Sequence, residues 1–331
     1  MAQPALAVAL GDPAGIGPAI TGAAWEQRAS ADVPTFFAVG DSRALAGVWN
    51  GPLVRIFDPK DANTVFPHAL PVMHIVDAGP TAPGEPTFEG AQAALTALET
   101  AVGLTRSGAA GGLVTGPVCK AQLYSVGFTH AGQTEFVAER CGVAPSNAVM
   151  MLAGPSLRVV PVTTHVPLRD VPDLLSVDLL VAKGRATARG LQRLFGIASP
   201  RLAFAALNPH SGEDGAIGRE EIEIIAPAVA ALRALGIDAV GPIPGDTLFA
   251  PRMRESYDAA MCMYHDQALI PLKALHFDEG VNMTLGLPIV RASPDHGTAF
   301  DIAGKRVAHP GAMIAAIRMA AEASEARAKA A

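Results

Sequence analysis

Short unbroken apolar runs punctuate this chain, and longer stretches with apolar residues every third or fourth position lie between them. ALAVAL (5–10), TFFAV (35–39), LVRIF (53–57), VMHIV (72–76), GGLV (111–114), AVMML (148–152), LRVVPV (157–162), RLAFAAL (201–207), DAAMCM (258–263) and VNMTL (281–285) read as strands. Their runs are continuous rather than alternating, as expected when both faces of a sheet are covered. Helical periodicity predicts helices over 88–108, 177–196 and 220–236, and a closing amphipathic helix from Gly311 onward. Strand alternating with helix predicts an α/β fold with a largely parallel sheet. No internal repeat or low-complexity linker marks a domain boundary.

Composition narrows the class. Half of the 331 residues are hydrophobic and 17% are charged, which suits a sizeable core and disfavours long disorder. A net charge of −6 without a basic stretch argues against a nucleic-acid partner. Cys119, Cys141 and Cys262 form no C-x-x-C pair, so reduced thiols are expected. The N-terminus lacks the basic region and apolar core of a signal peptide, and no uncharged run reaches membrane-span length. The expectation is a soluble, cytoplasmic protein with neither nucleic acid nor membrane as partner.

The candidate chemistry sits where strands end. GDPAGIGP follows the first run with glycines at 11, 15 and 17, which is not the G-x-G-x-x-G register of a Rossmann turn. Pro18 suits the first turn of a helix, so strand, loop and helix are expected without the standard dinucleotide fingerprint. TTH, NPHSGEDG and YHDQ place His165, His210 and His265 each just after a strand. Ligands bind beyond the carboxyl ends of strands in open α/β sheets, so three such imidazoles can converge as a divalent-metal set. A single strand-end histidine is more often a hydrogen-bonded structural residue or a helix cap than a ligand, and no short metal-ligand spacing is present; the shared context of the three is what points to a metal. Lys120 (TGPVCK) reads as an anion contact or an exposed helix-start lysine. Lys273, in the apolar stretch ALIPLK, reads as a snorkelling side chain or a proton-transfer group. Asn282 and Arg291 flank VNMTLGLPIV, and Arg291 is suited to bidentate phosphate binding. Asp246, in GPIPGDTLF, is a second carboxylate or an ordinary turn residue.

Taken together, GDPAGIGP, TGPVCK, TEFVAE, TTHVPL, LNPHSGEDG-x-x-GREE, GPIPGDTLF, YHDQALIPLK and NMTLGLPIVRASPDHGTAFDIAGK resemble the 4-hydroxythreonine-4-phosphate dehydrogenase family of vitamin B6 synthesis. The matches run in order from residue 11 to about 305. The opening turn and HGTAFDIAGK (296–305) also resemble the wider isocitrate and isopropylmalate dehydrogenase superfamily. The resemblance implies two α/β/α domains: a discontinuous nucleotide-binding domain (1–125 and 275–331) and a substrate, metal and dimerisation domain (126–274). It implies a homodimer with active sites in interdomain clefts at the subunit interface. A zinc, magnesium or cobalt ion would be held by His165, His210 and His265, with ligands from both subunits. Substrate contacts map onto Gln133, Thr134, Lys273, Asn282 and Arg291, with Lys273 and Asp266 as catalytic candidates. NAD or NADP is expected at the 293–305 loop, through Asp295, His296, Gly297, Thr298 and Asp301. The implied reaction oxidises 4-phosphooxy-L-threonine at C3, and the β-keto acid then decarboxylates to 3-amino-2-oxopropyl phosphate. Two positions depart from the pattern: Gln133 stands where the family usually has His, and Ala19 where it usually has Glu. Relatives of this fold act on D-erythronate or D-threonate 4-phosphate and on an aromatic cis-dihydrodiol dicarboxylate, which are the alternative substrates.

Overall fold

The computed structural model describes residues 3–330, which divide into two compact units. One runs through Val143 and resumes at Leu287–Ala328; the other is Ala144–Gly286 with the residues from Lys329.

The first unit contains β1 (Leu6–Ala9), β2 (Phe36–Gly40), β3 (Leu53–Arg55), β4 (Leu70–His74) and β5 (Leu113–Thr115). The second contains β6 (Val149–Gly154), β7 (Leu157–Pro161), β8 (Arg201–Ala205), β9 (Asp238–Ile243), β10 (Ala259–Cys262) and β11 (Val281–Leu285). β12 (Arg291–Pro294) returns to the first unit. There the order is β3-β4-β2-β1-β5-β12, parallel throughout. In the second it is β11-β6-β7-β10-β8-β9, with β6 antiparallel to both neighbours and the remaining pairs parallel. The fold is therefore α/β and largely parallel, and most of its apolar runs become buried strands; the exception is LVRIF, whose Val54 and Arg55 in β3 are exposed. Two strands escape the apolar-run criterion. DAVGPI (β9) contains Gly241 and Pro242, and RASP (β12) has no apolar run at all. The strand-like VNMTLGLPIV also breaks at Gly286, whose φ is +85°, so Asn282 lies inside β11 while Arg291 opens β12.

The helices carry the expected end signals. Thr87 caps the helix Phe88–Arg106 by accepting from the Gly90 amide, with Glu89 in the first turn and Arg106 in the last. Ser176 caps Val177–Phe195, and Gly196 ends it in the left-handed conformation. The periodic stretch from Glu220 opens as a wide π-type turn (Glu221–Ile225) before the regular helix Ala226–Ala234, with Pro227 in its first turn. The core of the second unit gathers Leu152, Val159, Ala203, Cys262 and Leu272. Burial pushes the Cys262 thiol well above its ordinary pKa, so this cysteine is a packed, unreactive side chain.

The GDPAGIGP turn is held by its own backbone. Asp12 donates its amide to the Pro117 carbonyl, its carboxylate accepts from the Ala14 amide, and the Ile16 amide donates to the Thr298 carbonyl at 3.0 Å. Burial raises the Asp12 pKa, partly offset by the Ala14 hydrogen bond. Gly11 has φ +76°, and a Cβ there would strike the Pro117 carbonyl. Gly11→Ala is expected to destabilise the protein by at least about 1–2 kcal/mol through the left-handed backbone alone. At roughly 2–4 °C per kcal/mol, calorimetry should record a Tm several degrees lower; an unchanged Tm would contradict this account.

Candidate functional site

Strand order decides where the three histidines go. β7, β10 and β8 are consecutive neighbours and all parallel, so their carboxyl ends emerge side by side at about 4.8 Å spacing. His165 follows β7, His265 follows β10 and His210 follows β8. All three leave the same edge of the sheet in the second unit.

The exits are tied together beyond the strands. The Val162 amide donates to the Cys262 carbonyl at 2.7 Å, and both the amide and the hydroxyl of Thr163 donate to the Met263 carbonyl. This continues the β7–β10 pairing up to the histidines. Gln267 links the other pair: its Oε1 accepts from the Met263 amide and its Nε2 donates to the Ala206 carbonyl, each at 2.7 Å. As a result the His165 and His265 rings lie 5.5 Å apart between centroids, inclined at 42°. Two imidazoles sharing one tetrahedral ion at ~2.0–2.1 Å per nitrogen would have centroids about 5 Å apart. His265 Nδ1 is 2.7 Å from Asp266 Oδ1. A carboxylate only accepts, so Nδ1 carries the proton and Nε2 keeps its lone pair, in a ring oriented by Asp266. A cavity of about 240 Å³ opens here, lined by Thr163, His165, Val166, Tyr264, His265 and Asp266. The donor set and its orientation fit a divalent ion.

His210 is presented differently. Residues His210 to Asp214 all have left-handed backbone, with φ between 43° and 79°. Four of the five are not glycine, at a cost of roughly 1–2 kcal/mol each. The donor atoms of the three histidines do not close to within 4.8 Å of one another in the single chain. Lys273 lies on the His265–His276 helix, about 12 Å along the axis from His265, half-buried, with its ammonium 5.9 Å from the Phe277 ring centroid. Asn282 presents a buried Oδ1 without a hydrogen-bond partner.

The remaining anion-binding candidates belong to the first unit. Arg291 is 3% exposed and pairs within β12 to Leu113 of β5. It donates to the Thr115 hydroxyl at 2.8 Å and to the Thr134 hydroxyl at 3.4 Å. Burial lowers its pKa to about 10, with the nearby Glu135 charge acting in the opposite direction, so it stays cationic at neutral pH. Gln133 opens the helix Gln133–Arg140. Its Nε2 donates to the Gly116 carbonyl at 3.2 Å, while its buried Oε1 has no partner. Lys120 and Asp246 are exposed. In the loop that follows β12, His296, Gly297 and Asp301 are exposed. Thr298 holds the first helix through Ile16, and Ile302 and Arg306 join Ile16, Ala19 and Trp49 around a cavity of about 300 Å³.

Residues 32–320 match the model of the pyridoxal phosphate biosynthetic protein PdxA family. The chain belongs to this PdxA family. It is 56% identical to a 4-hydroxythreonine-4-phosphate dehydrogenase of Erythrobacter litoralis, covering 99% of both chains. It is 54% identical to the enzyme of that name from Zymomonas mobilis, over 97% of this chain and 96% of the relative. A crystal structure of the Klebsiella pneumoniae 4-hydroxythreonine-4-phosphate dehydrogenase superposes with a TM-score of 0.87 at 35% identity, covering 97% of this chain and all of that one.

This PdxA chain also holds polar groups that local sequence did not single out. Gln267 and Thr163 act on backbone groups of distant segments, and Glu221 accepts from the Leu207 and Asn208 amides. Their only signal was membership of the motifs YHDQ, TTH and the REE that follows NPHSGEDG. In the first unit, ligand atoms of Asp41, His74 and Asp77 lie within 4.8 Å of one another. That cluster is closed by its own chain: Arg43 bridges Asp41 and Asp77 at 3.2 and 2.7 Å, and the Ala78 amide donates to Asp41. His74 Nδ1 accepts from the Ser42 amide, so its Nε2 hydrogen faces Asp77 at 3.1 Å. Arg43 already supplies the positive charge a cation would bring. Among the described residues no helix is long and apolar enough to cross a membrane.

Proposed function

We propose that this chain catalyses the NAD(P)- and divalent-metal-dependent oxidation of 4-phosphooxy-L-threonine to 2-amino-3-oxo-4-phosphooxybutanoate, which loses CO2 to give 3-amino-2-oxopropyl phosphate. The observation that carries this reading is the exit of His165, His265 and His210 from three neighbouring parallel strands, in a chain of the PdxA family. Bound at these imidazoles, a zinc, magnesium or cobalt ion supplies Lewis acidity toward the substrate oxygen, and the nicotinamide supplies the hydride acceptor.

The chain's own residues divide the remaining tasks. Asp266 keeps the His265 proton on Nδ1 by accepting it in a hydrogen bond, and so orients the ring. Arg291, buried and cationic, takes the phosphate with the Thr134 hydroxyl beside it. Gln133 contributes an acceptor: one of its two amide hydrogens goes to the Gly116 carbonyl, and its buried oxygen is available to accept from the substrate ammonium group. That acceptor supports the amino-acid substrate over D-erythronate or D-threonate 4-phosphate. Lys273 and Asn282 are assigned to the reacting hydroxyl and its neighbours, with Lys273 moving the proton. The 293–305 loop, through Asp295, His296, Gly297, Thr298 and Asp301, is assigned to the nucleotide, and the discontinuous unit to which it belongs is the nucleotide-binding domain. The middle unit carries the metal. Since the three imidazoles do not close within one chain, a homodimer with ligands from both copies completes the site.

The test is direct. Purified protein with divalent metal and NAD or NADP should generate reduced nicotinamide absorbance with 4-phosphooxy-L-threonine and release CO2. A stronger response to D-erythronate or D-threonate 4-phosphate would reassign the substrate, and silence across all of these would overturn the dehydrogenase reading.

A further inference from the structure

We infer that Glu221 is the positioning residue for His210, and that its carboxylate sets the metal affinity of this site without touching metal or substrate. The inference rests on the proposed role of His210 as a ligand. Glu221 is 3% exposed, and both of its oxygens are used on one segment. Oε1 accepts from the Leu207 amide at 2.8 Å and the Asn208 amide at 2.7 Å, and Oε2 accepts from Asn208 Nδ2 at 2.9 Å. These are the residues immediately before Pro209 and His210. Downstream, Gly212 packs so closely that a Cβ would lie 2.8 Å from Glu221 Oε2. The carboxylate therefore holds the chain just before His210 by hydrogen bonds and packs against the backbone of the left-handed turn just after it.

Such a turn needs an external restraint, because a run of non-glycine residues at positive φ is unfavourable by itself. The restraint comes from the start of the π-type turn, which directs the Glu221 side chain back toward the exit of β8. A carboxylate is the group this geometry requires. Glutamine retains one acceptor oxygen, but its NH2 would then face the NH2 of Asn208, donor against donor. Glu220 also accepts from Asn208 Nδ2, at 2.7 Å, yet it reaches neither backbone amide.

The experiment compares metal affinity, by competition with a chromophoric chelator using Co2+ and Zn2+, in wild type, Glu221→Gln, Glu220→Gln, Asn208→Ala and His210→Ala. Glu221→Gln should weaken the metal by about 10–100-fold, Asn208→Ala should weaken it in the same direction, and Glu220→Gln should leave it within about threefold. At saturating metal Glu221→Gln should regain wild-type kcat, which loss of a ligand or a general structural defect would not allow. Unchanged affinity in Glu221→Gln, alongside a lost site in His210→Ala, would overturn the inference. Unchanged affinity in His210→Ala would overturn the ligand assignment itself. Should Glu221→Gln fail to fold by circular dichroism, Asn208→Ala decides: wild-type affinity there overturns the inference.

Discussion

His265→Ala is expected to remove the divalent metal and to lower kcat/KM at least about 10³-fold, the rate equivalent of several kcal/mol of lost electrophilic assistance. The fold should survive. His265 is the first residue of its helix, half-exposed, and the helix start makes no use of its side chain as a cap. Alanine is the best helix former, and the ties that hold the strand exits run through Met263, Thr163 and Gln267 instead. Metal content by elemental analysis, steady-state kinetics and circular dichroism check the three parts together. A variant that keeps both metal and turnover would remove His265 from the ligand set.

Arg291→Met is the second large effect. Methionine fills much of the same buried volume but offers no hydrogen bond to an anion. Losing a charged donor is worth about 1.5–3 kcal/mol, so KM for the phosphorylated substrate should rise roughly 10–100-fold, with a smaller change in kcat. Arg291→Lys should recover little of this, since an ammonium cannot reproduce the planar fork that already spans Thr115 and Thr134. Titration with substrate at saturating NAD or NADP gives the split. An unchanged KM would place the phosphate elsewhere.

What the sequence disclosed, and what it withheld, follows from the range of the forces involved. Unbroken apolar runs such as TFFAV and RLAFAAL mark strands because a doubly covered sheet demands them locally. RASP became β12 through pairing with Leu113 and Val114 of β5, a distant cause that leaves no apolar run behind. The strand-exit context of His165, His210 and His265 was legible; the fact that β7, β10 and β8 are adjacent was not, because strand order is a property of the assembled sheet. The least visible residues were Glu221, Gln267 and Thr163. Each is an ordinary polar residue locally, and each gains its role by reaching a backbone group of another segment. Gln133 was visible as a departure, yet the direction of its amide emerged only with the Gly116 carbonyl beside it.

The hydrogen bond from Ile16 to Thr298 has a bearing on synthesis. Residues near the two ends of the chain meet there, while Ala144–Gly286 is one continuous stretch between them. On the ribosome, the middle unit can finish folding before its host does, as domains generally fold as units during elongation. The opening turn, although made before the middle unit, waits for a partner that is made after it. The loop assigned to the nucleotide therefore settles after the middle unit, and a nascent chain stalled before residue 298 would carry a formed histidine edge with no seat for the nucleotide.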